Sequence, residues 1–305
     1  MQTVQGLESY PPDAPSAAVA LGTFDGIHLA HRAILAAAVA RAREGGLRAL
    51  ACTFDPHPAE VLRPNQTPAP ISTLAERLEL LAETGVDATV VLAFTPQLAA
   101  MEPEAFVKDV LLDRLHAHDV VVGYNHTFGR GARGNARLLQ ELAGQLGFRA
   151  HVVPPLMVDG VPVSSTAIRA ALRAGDVERA SRYLGRSYTI NGEIVRGAGR
   201  GRELGFPTAN VKPDRGVILA PGVYACRAVI GADRYRAVVN IGKRPTFGET
   251  ALVIEAHLLD FAGALYGCLL RLEFVSRLRD ERRFAGPEAL REQISRDIAA
   301  ARERV

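Results

Sequence analysis

Residues 196–210 read RGAGRGRELGFPTAN and lie near the junction of two halves of the chain that differ in pattern. Before this junction, short apolar runs alternate with longer amphipathic runs. After it, strand-like runs follow one another and are joined by Gly, Pro and Asp. Alternating strands and helices form a parallel sheet covered by helices, whereas successive strands form an antiparallel barrel or sandwich. The chain is therefore predicted to contain two domains of different class.

The first half is predicted to be α/β. Apolar strands are expected at 17–24, 47–54, 88–94, 119–123 and 148–153, and amphipathic helices at 28–44, 72–84, 103–116 and 135–146. One further helix is expected at 165–184, followed by a linker at 185–187. In open parallel sheets ligands bind beyond the carboxyl ends of the strands. The motifs at those ends are therefore the first candidates for a binding site.

The second half is predicted to be an antiparallel barrel or sandwich. The runs TINGEIV, GVYACRAVI, YRAVVNIG, LVIEAHLLD and CLLRLEFV have strand character, and a last helix is expected at 287–303. The segment from Asn240 to Thr246 is predicted to be a turn that carries two cations. Glu255 lies in the following strand, where it is either a solvent-facing residue or a general base beside a bound hydroxyl.

The composition is that of a globular protein with no strong preference for one kind of partner. Of the 305 residues 48% are hydrophobic, and 36 basic against 33 acidic side chains leave a net charge of +3. This balance, and the absence of Trp, argue against nucleic-acid binding. No apolar run has a membrane span's length of about 18 residues, and no secretory signal begins the chain, so a cytoplasmic location is expected. The three cysteines lie in apolar runs and are expected to be buried thiols.

The Gly- and Arg-rich stretch at 196–210 is a candidate phosphate site. Its four glycines permit close approach of the backbone to a ligand, and its three arginines supply positive charge. A plain Gly-rich hairpin loop is the alternative, because neither a P-loop nor a dinucleotide fingerprint is present. Thr208 and Asn210 alternate along an extended segment and offer two neutral oxygens, which suit Mg²⁺ beside a nucleotide.

Two histidines follow the first strand of the α/β half. His28 and His31 are three residues apart, which places them on one face of the first turn of a helix. A helix N-terminus attracts anions, so two imidazoles there could bind and neutralise a phosphate. Ordinary surface histidines and half of a zinc site are the alternatives, although no third metal ligand is evident nearby.

Three more motifs follow predicted strands. Asp55 and His57 lie in TFDPHP, which is otherwise a rigid loop, and residues 123–134 read GYNHTFGRGARG, which is otherwise a flexible connection. Ser164, Ser165, Thr166 and Arg169 precede or begin a helix, where hydroxyls either cap the helix or meet a phosphate. Together these motifs predict a phosphate-binding site along one edge of the sheet.

The combination resembles, over essentially the whole chain, the bacterial bifunctional riboflavin kinase/FMN adenylyltransferases, also called FAD synthetases. The motifs that carry the resemblance are, in order, GTFDGIHLAH, TFDPHP, GYNHTFG, SSTAIR, GRGRELGFPTAN, GVY, NIGKRPTFG, EAHLLDF and LYG. The resemblance implies an N-terminal nucleotidylyltransferase domain of Rossmann-like fold at 1–184. It also implies a C-terminal riboflavin kinase domain at 185–305, built on a six-stranded antiparallel barrel with a terminal helix.

The resemblance further implies site residues and ligands. The substrates and products would be riboflavin, FMN, ATP and FAD, with Mg²⁺, and the protein would be a monomer or weak homo-oligomer that binds neither nucleic acid nor membrane. Glu255, His28 and His31 would be catalytic, and Thr208 and Asn210 would hold the metal. Phe54, Pro56, His57, Asn125 and Arg291 would contact the flavin. ATP and its phosphates would be bound by Gly22, Phe24, Asp25, Asn125, Ser164, Ser165, Thr166, Arg169, Gly199, Gly201, Arg202, Gly205, Pro207, Thr208 and Asn210.

The chain departs from the family pattern at residue 30. Ala30 stands where the motif His-x-Gly-His usually has glycine, and the added methyl group either weakens ATP binding or is absorbed by a modest shift of the chain. One rival is therefore a riboflavin kinase whose N-terminal half binds flavin without catalysis. A second rival is a flavin-responsive regulator without turnover, against which the presence of Glu255, Thr208 and Asn210 argues.

Overall fold

The computed structural model describes residues 1–196, 201, 204–246, 249–263 and 265–305, and describes no side chain between 243 and 251. The described chain divides into two compact units, Met1–Ser164 and Ser165–Val305. Each unit has the class predicted for its half of the sequence.

The first unit is an α/β layer structure around one parallel sheet. Its sheet strands are β1 (Gln2–Gln5), β2 (Ala17–Leu21), β3 (Arg48–Asp55), β4 (Ala88–Ala93), β5 (Ala117–Gly123) and β8 (Arg149–Val153). Two short hairpins contain β6 (Thr127–Phe128) with β7 (Gly134–Asn135), and β9 (Met157–Val158) with β10 (Val161–Pro162). The helices are α1 (Leu29–Gly45), α2 (Pro58–Leu62), α3 (Leu74–Ala82), α4 (Pro96–Ala99), α5 (Pro103–Ala105) and α6 (Ala136–Leu146), and a π-helix (Phe106–Leu112) follows α5.

The order of the strands in this sheet is β1-β4-β3-β2-β5-β8, and all pairs are parallel. All residues of β2 are buried, as expected for a strand covered by helices on both faces. The order reverses between β2 and β5, so the crevice beyond the carboxyl ends of these two strands is the topological switch point. The edge strand β1 is an addition that the sequence analysis missed.

The second unit is a closed antiparallel barrel. Its strands are β11 (Tyr188–Val195), β12 (Ala209–Pro213), β13 (Gly222–Ile230), β14 (Asp233–Thr246), β15 (Glu249–Leu258) and β16 (Leu269–Arg279), closed in the order β11-β12-β15-β14-β13-β16. Alternate residues such as Ile254, Ala256 and Leu272 are fully buried and fill the interior. The last helix, α9 (Pro287–Arg304), packs on β13, β14 and β16. The predicted six-stranded barrel with a terminal helix is confirmed.

Two local predictions were wrong. Residues 240–246 form no turn, because they continue β14 and pair with β15 as far as Thr246 opposite Glu249. The predicted helix at 165–184 consists of two helices, α7 (Ser165–Arg173) and α8 (Val177–Leu184). Gly175 separates them with a φ of +76°, and a side chain there would lie 2.7 Å from the guanidinium of Arg277. The close packing of this turn on β16 requires glycine and ends the first helix.

Candidate active sites

The loop from β2 to α1 forms the centre of the candidate site in the first unit. Phe24 and Ile27 adopt positive φ angles of 50° and 37°, which non-glycine residues rarely do. Both side chains are fully buried. Packing of the two side chains in the core thus holds an unfavourable backbone in place, as is common at functional sites. Phe24 offers only its backbone to a ligand, and its ring packs against Gly22 and edge-on against His31.

Asp25 is buried and hydrogen-bonded to a neighbouring segment of the chain. Its carboxylate accepts from the backbone N–H groups of Ile71 and Ser72 at 3.0 Å each, and from the Ser72 hydroxyl at 3.3 Å. The residue is 1% exposed. These contacts fix the segment at 71–72 beside the loop after β2, and the predicted phosphate contact of Asp25 stays a prediction.

His28 and His31 lie together at the start of α1, as the spacing predicts. His28 is the N-cap, and its Nδ1 accepts a hydrogen bond of 3.2 Å from the His31 backbone N–H. The two imidazoles are stacked, with ring centroids 3.5 Å apart. Burial, His28 and the positive charge of Arg77 hold the pKa of His31 well below its ordinary value. His31 is therefore uncharged at neutral pH, and its contact with a phosphate would be a hydrogen bond from a neutral ring.

Ala30 takes the helical conformation of α1, so the backbone at this position does not need glycine.

Across the switch point, the chain leaves β5 through a turn in which the His126 N–H donates to the Gly123 carbonyl at 3.0 Å. Asn125 is exposed in this turn. Burial lowers the pKa of His126 to about 4, so this ring is also neutral. A helix N-terminus and an amide side chain therefore follow the two strands that flank the switch point.

The segment after β3 was predicted to be a rigid loop, but part of it forms the short helix α2. His57 caps the short helix α2, because its Nδ1 accepts from the Ala59 N–H at 3.1 Å and its own N–H donates to Glu60. Phe54 is buried and meets Phe94 edge-on, whereas Pro56 is exposed. Of the residues predicted here to contact flavin, Pro56 and half-buried His57 are accessible.

Ser164 ends the first compact unit, and Ser165, Thr166 and Arg169 belong to α7 of the second. Arg169 is buried, and Thr166 is exposed. Their predicted contacts with ATP stay a prediction.

The second unit contains a cavity of about 390 Å³ on the outer face of the barrel, between the strands, the segment after β16 and α9. Asn210, Glu255 and Asn240 are direct cross-strand partners on β12, β15 and β14. Cross-strand partners present their side chains on one face. These three residues and Thr208 all line the cavity. The barrel register therefore brings together the predicted base and both predicted metal ligands.

The face of β15 on which Glu255 lies is visible from its neighbours in the strand. Its neighbours Ile254 and Ala256 are fully buried in the barrel interior, so Glu255 points outward. Glu255 is nevertheless half-buried, because the cavity lies over this face. A carboxylate in this position is directed into a cavity rather than into open solvent, which is what a base acting on a bound hydroxyl requires.

The Gly- and Arg-rich stretch contributes one wall of the cavity. Gly201 lines it, and a side chain there would lie 2.5 Å from the Phe206 carbonyl oxygen and 2.9 Å from Thr208 Oγ1. Gly205 has a φ of +85°, which glycine permits. The carbonyl of Pro207 accepts a hydrogen bond of 2.8 Å from His257 Nδ1. Gly199 and Arg202, which were predicted to bind phosphate, lie outside the described residues.

A polar network that the sequence analysis missed closes the other side of the cavity. Asp297 on α9 accepts two hydrogen bonds of 3.0 Å from Arg279 Nε and one of 2.8 Å from its NH2. Gln293 donates to Asp297 at 2.7 Å and accepts from Arg282, whose guanidinium lies 4.8 Å from the centre of the Phe284 ring. Asp297 is buried and paired, so this network fixes residues 279–284 against α9. Arg291 on the same helix is exposed, and its flavin contact stays a prediction.

The donor set of the cavity fits a magnesium ion. Mg²⁺ prefers oxygen ligands and usually takes few of them from the protein. Thr208 and Asn210 supply neutral oxygens beside the Glu255 carboxylate, and nucleotide phosphates would complete the coordination. Within the described ranges, no group of three or more His, Cys, Asp or Glu side chains is arranged to hold a metal.

The first unit is a parallel sheet with a helix N-terminus at its switch point, and the second is a barrel with a cavity lined by a carboxylate. Together these features define a two-domain transferase. Residues 11–167 match the family model described as FAD synthetase, and residues 184–305 match the one described as riboflavin kinase. The chain belongs to the bifunctional riboflavin kinase/FMN adenylyltransferase family.

Curated relatives of that description match along nearly their whole length. The relative from Pseudomonas fluorescens is 39% identical over 99% of this chain and 97% of its own. The relative from Bacillus subtilis is 36% identical over 92% of this chain and 89% of its own. A solved structure from Streptococcus pneumoniae, titled a macrolide-efflux protein, matches with a TM-score of 0.89 and 29% identity over 99% of both chains.

Among the described helices, none is both long and apolar enough to cross a membrane.

Proposed function

We propose that a kinase domain at 185–305 phosphorylates riboflavin to FMN and that an adenylyltransferase domain at 1–184 adenylylates FMN to FAD, with ATP as the donor in both steps. The observation that carries the kinase assignment is the row of Asn210, Glu255 and Asn240 across one cavity wall, with Thr208 beside it. The family supports both activities.

In the kinase step, Glu255 would accept the proton of the riboflavin 5′-hydroxyl as its oxygen attacks the γ-phosphorus. The bond to the ADP oxygen breaks, and ADP leaves. Thr208 and Asn210 would hold Mg²⁺, which when bound neutralises charge on the transferring phosphoryl group. The backbone at Gly201 would lie against the nucleotide, and glycine at this position permits close packing on Phe206 and Thr208, which a Cβ would prevent.

In the adenylyl step, a phosphate oxygen of FMN would attack the α-phosphorus of a second ATP, and pyrophosphate would leave. The FMN phosphate is already ionised, so no strong base is needed. The N-terminus of α1, with His28 and neutral His31, would stabilise the charge that develops at the α-phosphate. ATP would be positioned by Gly22, Asn125, Ser164, Ser165, Thr166 and Arg169. The flavin would be contacted by Pro56 and His57.

The helical backbone at Ala30 favours this function over a kinase without adenylylation. The methyl group there costs no backbone strain, so only contact with ATP could oppose binding. We place the adenylyltransferase domain at 1–184 and the kinase domain at 185–305, because the riboflavin kinase model begins at residue 184. We expect a cytoplasmic monomer or weak homo-oligomer, and the three free thiols suit a reducing compartment.

Chromatography of flavins during incubation with riboflavin, ATP and Mg²⁺ tests the proposal. FMN should appear first and FAD later. Glu255→Gln should lower FMN formation at least about a hundredfold, because the base is lost, and should leave the conversion of supplied FMN to FAD within twofold. Near-normal FMN formation by Glu255→Gln would remove Glu255 from the mechanism. FMN that accumulates without FAD would leave a kinase only.

A further inference from the structure

Arg77 on α3 is a buried cation that the proposed mechanism does not use. Its side chain is buried, and NH1 donates a hydrogen bond of 2.8 Å to the carbonyl of Phe54 at the end of β3. The same nitrogen lies 3.4 Å from Thr53 Oγ1. Within the part of the chain that the structure describes, Arg77 Nε is buried without a hydrogen-bond partner. Burial of a charged group without full compensation is costly and calls for an explanation.

Arg77 connects two of the strand ends that carry the candidate site. Thr53 Oγ1 in turn donates a hydrogen bond of 2.9 Å to the carbonyl of Thr23 in the loop after β2. The guanidinium therefore fixes the backbone of β3 directly and the loop before His28 through one hydroxyl. The NH1 nitrogen carries two N–H donors and can serve both acceptors at once.

The charges around Arg77 are not those of a structural ion pair. Burial lowers the pKa of Arg77, and the carboxylates of Asp25, Asp55 and Glu60 act in the opposite direction. Among the residues that the structure describes, none of these carboxylates lies within ion-pair distance of the guanidinium. The positive charge of Arg77 also helps to keep His31 neutral. Arg77 thus contributes a buried positive charge that acts on the neutral imidazole of His31.

We propose that Arg77 is a positioning residue for adenylyl transfer, which holds the ends of β2 and β3 in register and supplies the buried positive charge that attracts the phosphates to His28 and His31. It acts through the backbone of Phe54 and through His31, without touching substrate. The inference rests on the proposed adenylyltransferase function. It assigns the electrostatic part of phosphate binding to a residue that no strand-end motif contains.

The test compares Arg77→Met and Arg77→Lys with the control Arg43→Met in the full-length chain. Arg43 is an exposed arginine at the far end of α1 that pairs with Asp87 at 3.5 Å. We expect Arg77→Met to lower kcat/KM for FAD formation from FMN at least about tenfold, while riboflavin phosphorylation stays within twofold. The histidine NMR titration of His31 should move to higher pH in Arg77→Met, because one cause of its low pKa is removed.

The lysine variant separates charge from geometry. Arg77→Lys should keep the pKa of His31 low and should form FAD faster than Arg77→Met but more slowly than the unchanged chain. Lysine keeps the positive charge and lacks the planar guanidinium. If Arg77→Met does not fold, Arg77→Lys alone decides, through a raised KM for ATP at unchanged melting temperature.

A folded Arg77→Met with unchanged kcat, KM and His31 titration would overturn the proposal. So would normal kinetic constants in Arg77→Lys when Arg77→Met is insoluble. A lower melting temperature as the only effect would make Arg77 merely structural. Failure of the unchanged chain to form FAD would overturn the proposed function itself, and the inference with it.

Discussion

His257 shows how a single side chain sets the shape of the kinase cavity. It follows Glu255 by two residues on β15 and therefore shares its face of the barrel. Its Nδ1–H donates to the Pro207 carbonyl at 2.8 Å, and its ring meets Phe206 edge-on. His257 thus holds the segment that precedes Thr208. The proposed base and the segment that carries a proposed metal ligand are thus positioned by neighbouring residues of one strand face.

We expect His257→Leu to raise the KM for MgATP in riboflavin phosphorylation about fivefold with a smaller change in kcat. The lost hydrogen bond is worth about 1 kcal/mol, which corresponds to that factor. His257→Asn is the matched control, since its amide can donate from a similar position. Steady-state kinetics at varied MgATP check the prediction, and equal constants for both variants would contradict it.

At this scale, residue type alone did not predict the surroundings of the acidic side chains. Asp25 and Glu255 both lie in motifs of the family, yet one is buried under backbone donors and the other faces a cavity. The difference depends on which side chains pack beneath each backbone, and the pattern of residues does not encode that packing locally.

At the scale of elements, the turn before β12 depends on one glycine. Gly205 has a φ of +85°, and no atom lies within 4 Å of the position that a Cβ would take. The requirement for glycine is therefore conformational and not steric. For a residue with a Cβ, this left-handed conformation costs about 1–2 kcal/mol, and the cost is smaller for Asn.

We expect Gly205→Ala to raise the KM for MgATP in the kinase reaction severalfold, because the altered turn would displace residues 206–208. Gly205→Asn should raise this KM less than Gly205→Ala does. Gly216→Ala is the control, since Gly216 has no positive φ and open space around it. Kinetics of FMN formation by the three variants provide the measurement. Equal effects of Ala at 205 and at 216 would show that the turn conformation does not matter.

The pairing of β5 with β8 carries a charged cluster at the opposite edge of the sheet. Asp119 is 1% exposed and contacts His151 at 2.5 Å, His118 at 2.8 Å and Arg149 at 3.1 Å. Burial by itself raises the pKa of Asp119, but the hydrogen bonds from both histidines and the charge of Arg149 together lower it below its ordinary value. A carboxyl whose pKa is lower in the folded state stabilises the fold above its unfolded pKa, and loses this effect as the pH falls through its folded pKa.

Asp119→Asn should therefore speed hydrogen exchange in peptides 117–123 and 149–153 at pH 7. Loss of the charge-assisted hydrogen bonds should cost about 1–3 kcal/mol of local stability. The difference from the unchanged chain should begin to shrink below about pH 4, the ordinary pKa of an unfolded aspartate, and should be lost as the pH falls through the lower pKa of folded Asp119. Glu141→Gln removes only an exposed pair with Arg137 and should change little. A difference that is constant from pH 7 to pH 3 would contradict the assigned role of the charge.

At the scale of the whole molecule, the chain carries two units whose sites differ in architecture. The proposed adenylyl site lies in loops at the ends of parallel strands, and the proposed kinase site lies on the outer face of an antiparallel barrel. We expect each site to contain residues that the other reaction does not need. FMN, the product of one, is the substrate of the other.

Because the two sites are chemically independent, two single-site variants should complement each other. We expect Glu255→Gln and His28→Asn each to form no FAD from riboflavin, and an equimolar mixture to form it after a lag while FMN accumulates. Asn at residue 28 retains an N-cap for α1, so the helix should persist. Chromatography of flavins measures the lag. No FAD from the mixture would mean that FMN does not pass between molecules through solution.

The sequence by itself determined the class of both halves, and the family resemblance of its motifs added the six-stranded barrel. Periodicity is a local property, and it is sufficient to predict the class of each half. Only the tertiary structure decided that 240–246 is strand, that Gly175 interrupts a helix, and that Asp25 faces backbone while Glu255 faces a cavity. The same holds for Arg77 and His257, whose partners lie 23 and 50 residues away along the chain. Contacts of that range depend on strand register and core packing, which no local pattern of residues specifies.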